Sequence, residues 1–122
     1  MVPLDNGTFR AWLDEYATAW ETGDPDAAAE LFAADATYHE TPFAEPLEGR
    51  EAIREYWAET TATQEGVSCE TTVEGLGRAH GLARFRAAFV RDGDPVDVDG
   101  CLRARFVGGD CVEFHEWWHA RR

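Results

Sequence analysis

Tyr16-Ala17-Thr18-Ala19-Trp20, Gly23-Asp24-Pro25, Leu31-Phe32, Ala36-Thr37-Tyr38-His39-Glu40-Thr41-Pro42 and Gly49-Arg50 through Tyr56-Trp57 decide how this chain folds. Phe9, Leu13, Tyr16 and Trp20 recur at helical spacing, with Trp12 and Ala19 on the flanks. That pattern predicts an amphipathic helix over about residues 8–21. Thr8 or Asn6 is placed to cap it, and Gly23 to end it in the left-handed conformation. Asp24 as cap with Pro25 at the first helical position restarts a helix that carries Ala28, Leu31 and Phe32. Residues 36–41 alternate as a strand, 42–49 form a loop with two prolines, and about 51–61 form a third helix turning Ile53, Tyr56 and Trp57 inward.

After Gly66 the period changes to two. Residues 68–75, 82–91, 95–107 and 111–119 read as four longer strands. Asp92-Gly93 and Gly108-Gly109 have the residue types that two-residue hairpins demand. The first turn sets Arg86 opposite Asp99 and Phe89 opposite Val96, while the second sets Asp99 opposite Trp118 and Cys101 opposite Glu116. On that register one sheet face collects Arg84, Arg86, Asp99, Arg103, Glu116 and Trp118, and the other Phe85, Phe89, Leu102, His115 and Trp117. A bulge in either strand exchanges the two sets. Helices followed by an antiparallel sheet, without repeats or linkers, predict one α+β domain over residues 1–122.

The bulk properties narrow the function. A length of 122 residues, 44% hydrophobic with five tryptophans, suffices for a single core. A net charge of −13 with no lysine argues against nucleic acid, and suits a neutral or cationic small ligand. Three scattered cysteines favour a reducing cytoplasm over a disulfide framework. Neither a charged-then-apolar leader nor an apolar run near the ~20 residues of a membrane span is seen.

Glu40 and Tyr16 are the first candidates for chemistry. A carboxylate in an apolar pocket has its charged form disfavoured, which moves it toward the range of a general base. A buried phenol donates a hydrogen bond to a developing enolate oxygen. Against this stands a structural reading, in which Tyr16 is core and Glu40 an exposed acid at a strand end. His39 points away from Glu40 if the strand alternates, as a surface or interface histidine. His115-Glu116-Trp117-Trp118-His119 spells a zinc-protease motif, yet on a strand its histidines stand about 13 Å apart, so no metal is expected. Trp20, Tyr38, Phe43, Tyr56, Trp57 and Trp118 are core residues or the aromatic walls of a pocket for a flat, apolar ligand.

The first half of the chain resembles the ketosteroid-isomerase and SnoaL-like cyclase branch of the nuclear-transport-factor-2-like superfamily. Tyr16 with its spacing to Gly23-Asp24, then Leu31-Phe32, Asp35-Ala36-Thr37, and Glu40 before Pro42 with Thr41 inserted, carry the likeness. It implies a cone-shaped, cystatin-like half-barrel of three helices on a curved, mostly antiparallel sheet, working as a homodimer. It also implies Tyr16 as oxyanion donor and Glu40 as base. Asp99 lies near, but out of register with, the family's second oxyanion-hole acid, and a plain cross-strand ion pair with Arg86 is its structural alternative. Residues 114–119 resemble the last strand of limonene-type epoxide hydrolases, with Glu116 at the functional acid and Tyr38 and Glu40 at water-holding positions. There Arg86, Asp99 and Glu116 stand in for an Asp–Arg–Asp set, and neutralisation of Glu116 by Arg84, Arg103 or Arg105 is the structural alternative.

The resulting expectation is a cofactor-independent isomerase, cyclase or dehydratase acting on a small apolar carbonyl compound. Epoxide hydrolysis and a non-catalytic binding or dimerisation domain are the alternatives.

Overall fold

Three helices and six strands are arranged in a computed structural model that describes residues 3–122. Helix α1 (Asn6–Thr22) begins where the Asp5 carboxylate accepts the Thr8 N–H at 2.7 Å, so Asp5 rather than Thr8 or Asn6 is its cap. Its inward stripe is Phe9, Trp12, Leu13, Tyr16 and Ala19, and Gly23 ends it at φ 60°. Helix α2 (Pro25–Glu30) has Asp24 as cap and stops one residue before Leu31. Phe32 therefore opens β1 (Phe32–His39) instead of continuing the helix, because it pairs with Cys111 in the sheet.

At Glu40 the chain leaves the sheet, earlier than the alternation suggested, and the Thr41 hydroxyl accepts the Phe43 N–H in the turn that follows. The two-residue β2 (Leu47–Glu48) pairs back onto Thr37 and Tyr38 within the expected loop. Helix α3 (Arg50–Thr61) then buries Ile53 and Trp57.

Strands β3 (Glu65–Leu76), β4 (His80–Arg91), β5 (Asp94–Val107) and β6 (Asp110–Arg121) complete one sheet in the order β2-β1-β6-β5-β4-β3. Only β1 and β6 run parallel. The helices cover its concave face, an unclosed α+β cone. Asp92 (φ 52°) and Gly93 (φ 81°) make the β4–β5 hairpin, and Arg86 pairs with Asp99 and Phe89 with Val96 as the turn dictates.

The β5–β6 hairpin departs from the expected register. Phe106 pairs with Cys111, but Arg105 pairs with Glu113, leaving Val112 as an extra residue in β6. One added residue turns every later side chain over. Cys101 faces Trp117, Asp99 faces His119, and Leu102 faces Glu116. Phe114, Glu116 and Trp118 thereby join Phe85 and Leu102 on the concave side, while His115 and Trp117 move to the convex one. Close approach at this bend requires glycine at position 100, where a Cβ would stand 2.5 Å from the Trp117 carbonyl oxygen and 2.7 Å from the Phe85 ring.

The core is largely aromatic. Trp12 stacks on Tyr16 with centroids 5.8 Å apart, and Phe114 lies 4.7 Å from Tyr38. Trp12 donates its indole N–H to the Leu31 carbonyl at 3.0 Å, so this buried ring leaves no polar atom unpaired.

Candidate functional site

Between α1, α3 and the concave sheet lies a cavity of about 100 Å³. Tyr16 and Trp20 from α1, Tyr38 from β1, and Tyr56 and Trp57 from α3 form much of its wall. The sheet contributes Phe85, Phe89, Glu116 and Trp118. A helix that must bury one apolar stripe and a strand that must bury every second residue converge on this space, so its lining follows from two periodicities.

Glu116 is the only buried charged residue of the described chain, at 6% exposure. The Val112 bulge puts it there. The Tyr38 hydroxyl donates to its Oε1 at 3.3 Å. No arginine side chain stands within ion-pair distance of it among the described residues. Burial without a cation pushes its carboxyl up to about 8, with the nearby Glu40 charge adding to the rise and the tyrosine hydrogen bonds opposing it. At pH 7 the neutral acid therefore predominates. Tyr16 and Tyr38 are held well above the usual phenol range by burial first and the Glu116 charge second, so both remain hydrogen-bond donors. Tyr56 shifts the same way, by burial and then by Glu116 and Glu40.

Trp57 adds a further donor. Its Nε1 is the one buried side-chain polar atom of the described residues without a hydrogen-bond partner. A buried donor without a partner costs roughly 1–3 kcal/mol. The Trp20 Nε1, by contrast, donates to Gln64 Oε1 at 2.7 Å near the cavity rim.

The residues singled out in the sequence separate into two groups. Tyr16, Trp20, Tyr38, Tyr56, Trp57, Glu116 and Trp118 all line the cavity. Glu40, Phe43 and Asp99 do not. Glu40 sits half-buried just past β1, close enough for its charge to act on Glu116 and Tyr56. Phe43 is 95% exposed on the turn that ends β1, since the chain has already left the sheet there. Asp99 lies on the convex face, where Arg84 at 2.6 Å and Arg86 at 3.8 Å hold its carboxyl below the usual range. Arg86, Asp99 and Glu116 consequently stand on opposite faces of the sheet and form no common set.

Cavity residues not singled out beforehand are Thr60, Thr61, Gln64, Phe85, Phe89, Arg91, Val96, Val98 and Ala120. Phe89, Arg91, Val96 and Val98 share the inward parity of the β4–β5 hairpin, a signal open to the sequence once the concave face is known. The His115–His119 pair lies along β6 as an extended strand, and among the described residues no cluster of three metal-ligating side chains occurs. No helix of the described residues is long and apolar enough to cross a membrane.

Comparison with known proteins adds to this geometry. A SnoaL-like domain model matches residues 13–114. A Catenulispora acidiphila protein with a ketosteroid-isomerase-like fold, solved in complex with trimethylamine, is 27% identical, with 87% of this chain and 83% of that one covered and a TM-score of 0.72. The epoxide hydrolase/cyclase-like enzyme SalBIII, of pyran-ring formation in salinomycin, superposes with a TM-score of 0.79 at 21% identity, covering 94% of this chain and 93% of its own. A Bacillus subtilis protein provisionally assigned as an isomerase gives a TM-score of 0.82 at 18% identity, over 93% of this chain and 87% of that one. Both of these show the shared fold. No curated protein matches.

Proposed function

The chain belongs to the SnoaL-like domain family, and from that premise and the cavity we propose that it is a cofactor-independent acid–base enzyme for a small, largely apolar carbonyl compound, of the isomerase or cyclase type. One observation carries the reading: Glu116, a buried carboxyl without a cation and poised near pH 8, faces an aromatic cavity beside buried phenols. A group that titrates close to working pH can take a proton and return it at little cost. Glu116 in its ionised form removes a proton beside the carbonyl. Tyr16 donates to the oxygen that becomes negative, and the unpartnered Trp57 N–H is a second donor. The neutral Glu116 then delivers the proton to another atom of the same ligand. Tyr38 orients the carboxyl, and Glu40 holds its proton affinity up by charge. In this reading the base is Glu116, with Glu40 supporting it from outside the cavity wall.

The test is hydrogen–deuterium exchange at the α-carbon of small enolisable ketones, alongside binding of phenols that mimic the enolate. Wild type accelerates exchange, with a rate that rises with pH and levels off above about 8. Glu116→Gln lowers it by roughly 10²-fold or more, and Tyr16→Phe weakens phenol binding. Glu116 titrating in the ordinary carboxylate range, or phenols that bind Tyr16→Phe as well as wild type, would overturn the proposal.

A second reading rests on the same walls. Aromatic faces around a carboxylate also suit an ammonium ion, and the 27% identical relative was solved with trimethylamine. The pH dependence separates the two. An amine needs ionised Glu116, so its affinity climbs toward pH 8, whereas a phenol or carbonyl held by the neutral acid loses affinity over the same interval. The homodimer implied by the family resemblance we assign to the convex face, where Trp117 remains 45% exposed. Sedimentation of Trp117→Glu tests it, a monomer being the expected result.

A further inference from the structure

Proton chemistry at Glu116 occupies one end of the cavity, and the other end carries a different group. The concave side of β4 presents Ala83, Phe85, Ala87, Phe89 and Arg91 in turn. Ala83 pairs with Leu102 and Leu102 with Glu116, whereas Arg91 pairs with Asp94 at the hairpin end. The eight steps from Ala83 to Arg91 would span about 26 Å on a straight strand. Both Glu116 and Arg91 line the same cavity. Its wall therefore sets a carboxyl and a guanidinium apart along the sheet, with aromatic rings between.

Arg91 is anchored but has no carboxylate partner. Its Nε donates to the Thr63 hydroxyl at 3.2 Å, and its Cζ lies 5.1 Å from the centre of the Phe89 ring. Asp94, its neighbour across the hairpin, pairs with Arg122 instead. Most other arginines of this chain have an acidic partner within 4.0 Å, and Arg91 has none among the described residues. In a protein of net charge −13, a cation left uncompensated in the wall of an aromatic cavity is an exception to the general pattern. With Nε engaged, the terminal nitrogens remain for two parallel hydrogen bonds to a planar anion. Thr60, Thr61 and Gln64 supply a polar rim beside it.

We infer that the ligand is an elongated amphiphile carrying a carboxylate, its anionic end held by Arg91 and its carbonyl or enol end at Glu116. This rests on the proposed function and names its substrate class. The arrangement also fixes direction, since a carboxylate entering the other way would meet Glu116, the Glu40 charge beyond it and no cation.

Three matched probes test the inference by calorimetry at pH about 6.5, below the titration of Glu116: para-butylphenol, para-hydroxyphenylbutanoate and para-hydroxyphenylbutylamine. Wild type binds the carboxylate about tenfold more tightly than the neutral phenol, and the amine least well. Arg91→Gln abolishes that preference and leaves para-butylphenol within about twofold of wild type, while Arg91→Lys keeps part of it. The melting temperature of each variant reports that it is folded. The inference falls if wild type does not prefer the carboxylate, if the preference survives in Arg91→Gln, or if the amine binds best. In the first two cases, neutral phenol binding that still depends on Tyr16 leaves the proposed function standing. If no probe binds, both fall together.

Discussion

Glu113 and Glu116 stand three residues apart on one strand and behave as opposites. Glu113 is on the convex face with His115 at 2.9 Å, Arg105 at 3.5 Å and Arg103 at 3.8 Å, and its carboxyl is held below the usual range, most by His115. Glu116 is on the concave face among tyrosines and is pushed up to about 8. A water-facing surface with arginines available neutralises a carboxylate; an aromatic cavity without them leaves it reactive. The side of the sheet, not the local sequence, makes one acid structural and the other chemical.

The largest test removes the device that assigns the sides. Deleting Val112 erases the bulge and would turn Phe114 and Glu116 outward. Phe114 is fully buried and packs on Tyr38. Losing such burial costs about 3–5 kcal/mol, comparable to the whole stability of a small domain. The expected outcome is a chain without a cooperative thermal transition, while Val112→Ala, which keeps the residue count, melts close to wild type. A deletion variant that folds with a carboxyl still titrating near 8 would break the comparison.

Next come the two acids themselves, whose linkage to pH has opposite sign. Glu116 has a folded pKa of about 8, above its unfolded value, so ionisation favours the unfolded chain. Its destabilisation is absent at low pH, grows from the ordinary carboxylate range up to about pH 8, and is constant beyond. Glu116→Gln is therefore expected to be more stable than wild type at pH 9, on the order of 2–4 kcal/mol, and to show a flatter profile between pH 5 and 8. Glu113 has a lowered folded pKa, so its stabilisation is present at neutral pH and disappears as pH falls through that value. Glu113→Gln should lose under about 1 kcal/mol at pH 7 and nothing once the acid is protonated. Urea titrations across pH measure both. Profiles that shift in the same direction would remove the contrast.

Much of the fold was legible because its signals are local. The Phe9–Trp20 stripe, Asp24-Pro25, and the turn pairs Asp92-Gly93 and Gly108-Gly109 each specify their own element. The helix face that turns Tyr16 inward and the strand that carries Tyr38 gave two cavity walls for the same reason. What was not legible depended on pairing at a distance. Nothing in Cys111-Val112-Glu113 announces that Val112 will be skipped by its partner strand, yet that residue moves Glu116 from the arginine face to the cavity. Likewise Phe32 joins β1 only because Cys111 is there to pair with it, and Arg91 becomes a cavity residue only once the concave side of β4 is known.

The smallest expected effect lies at Asp99, which the family resemblance made a candidate for the site. Its carboxylate pairs with Arg84 and Arg86 on the convex side, and both Asp99 and Arg84 side chains remain nearly half exposed. Exposed pairs of this kind contribute little and are screened by salt. Asp99→Asn should lower thermal stability slightly at low ionic strength and not at all near 1 M salt. More to the point, it should leave the binding of phenols unchanged, because the sheet itself lies between this group and the cavity. That null result is informative only beside Tyr16→Phe. If Asp99→Asn weakened phenol binding as strongly as Tyr16→Phe, charge on the convex face would be acting on the ligand, and two faces with separate duties would no longer describe this sheet.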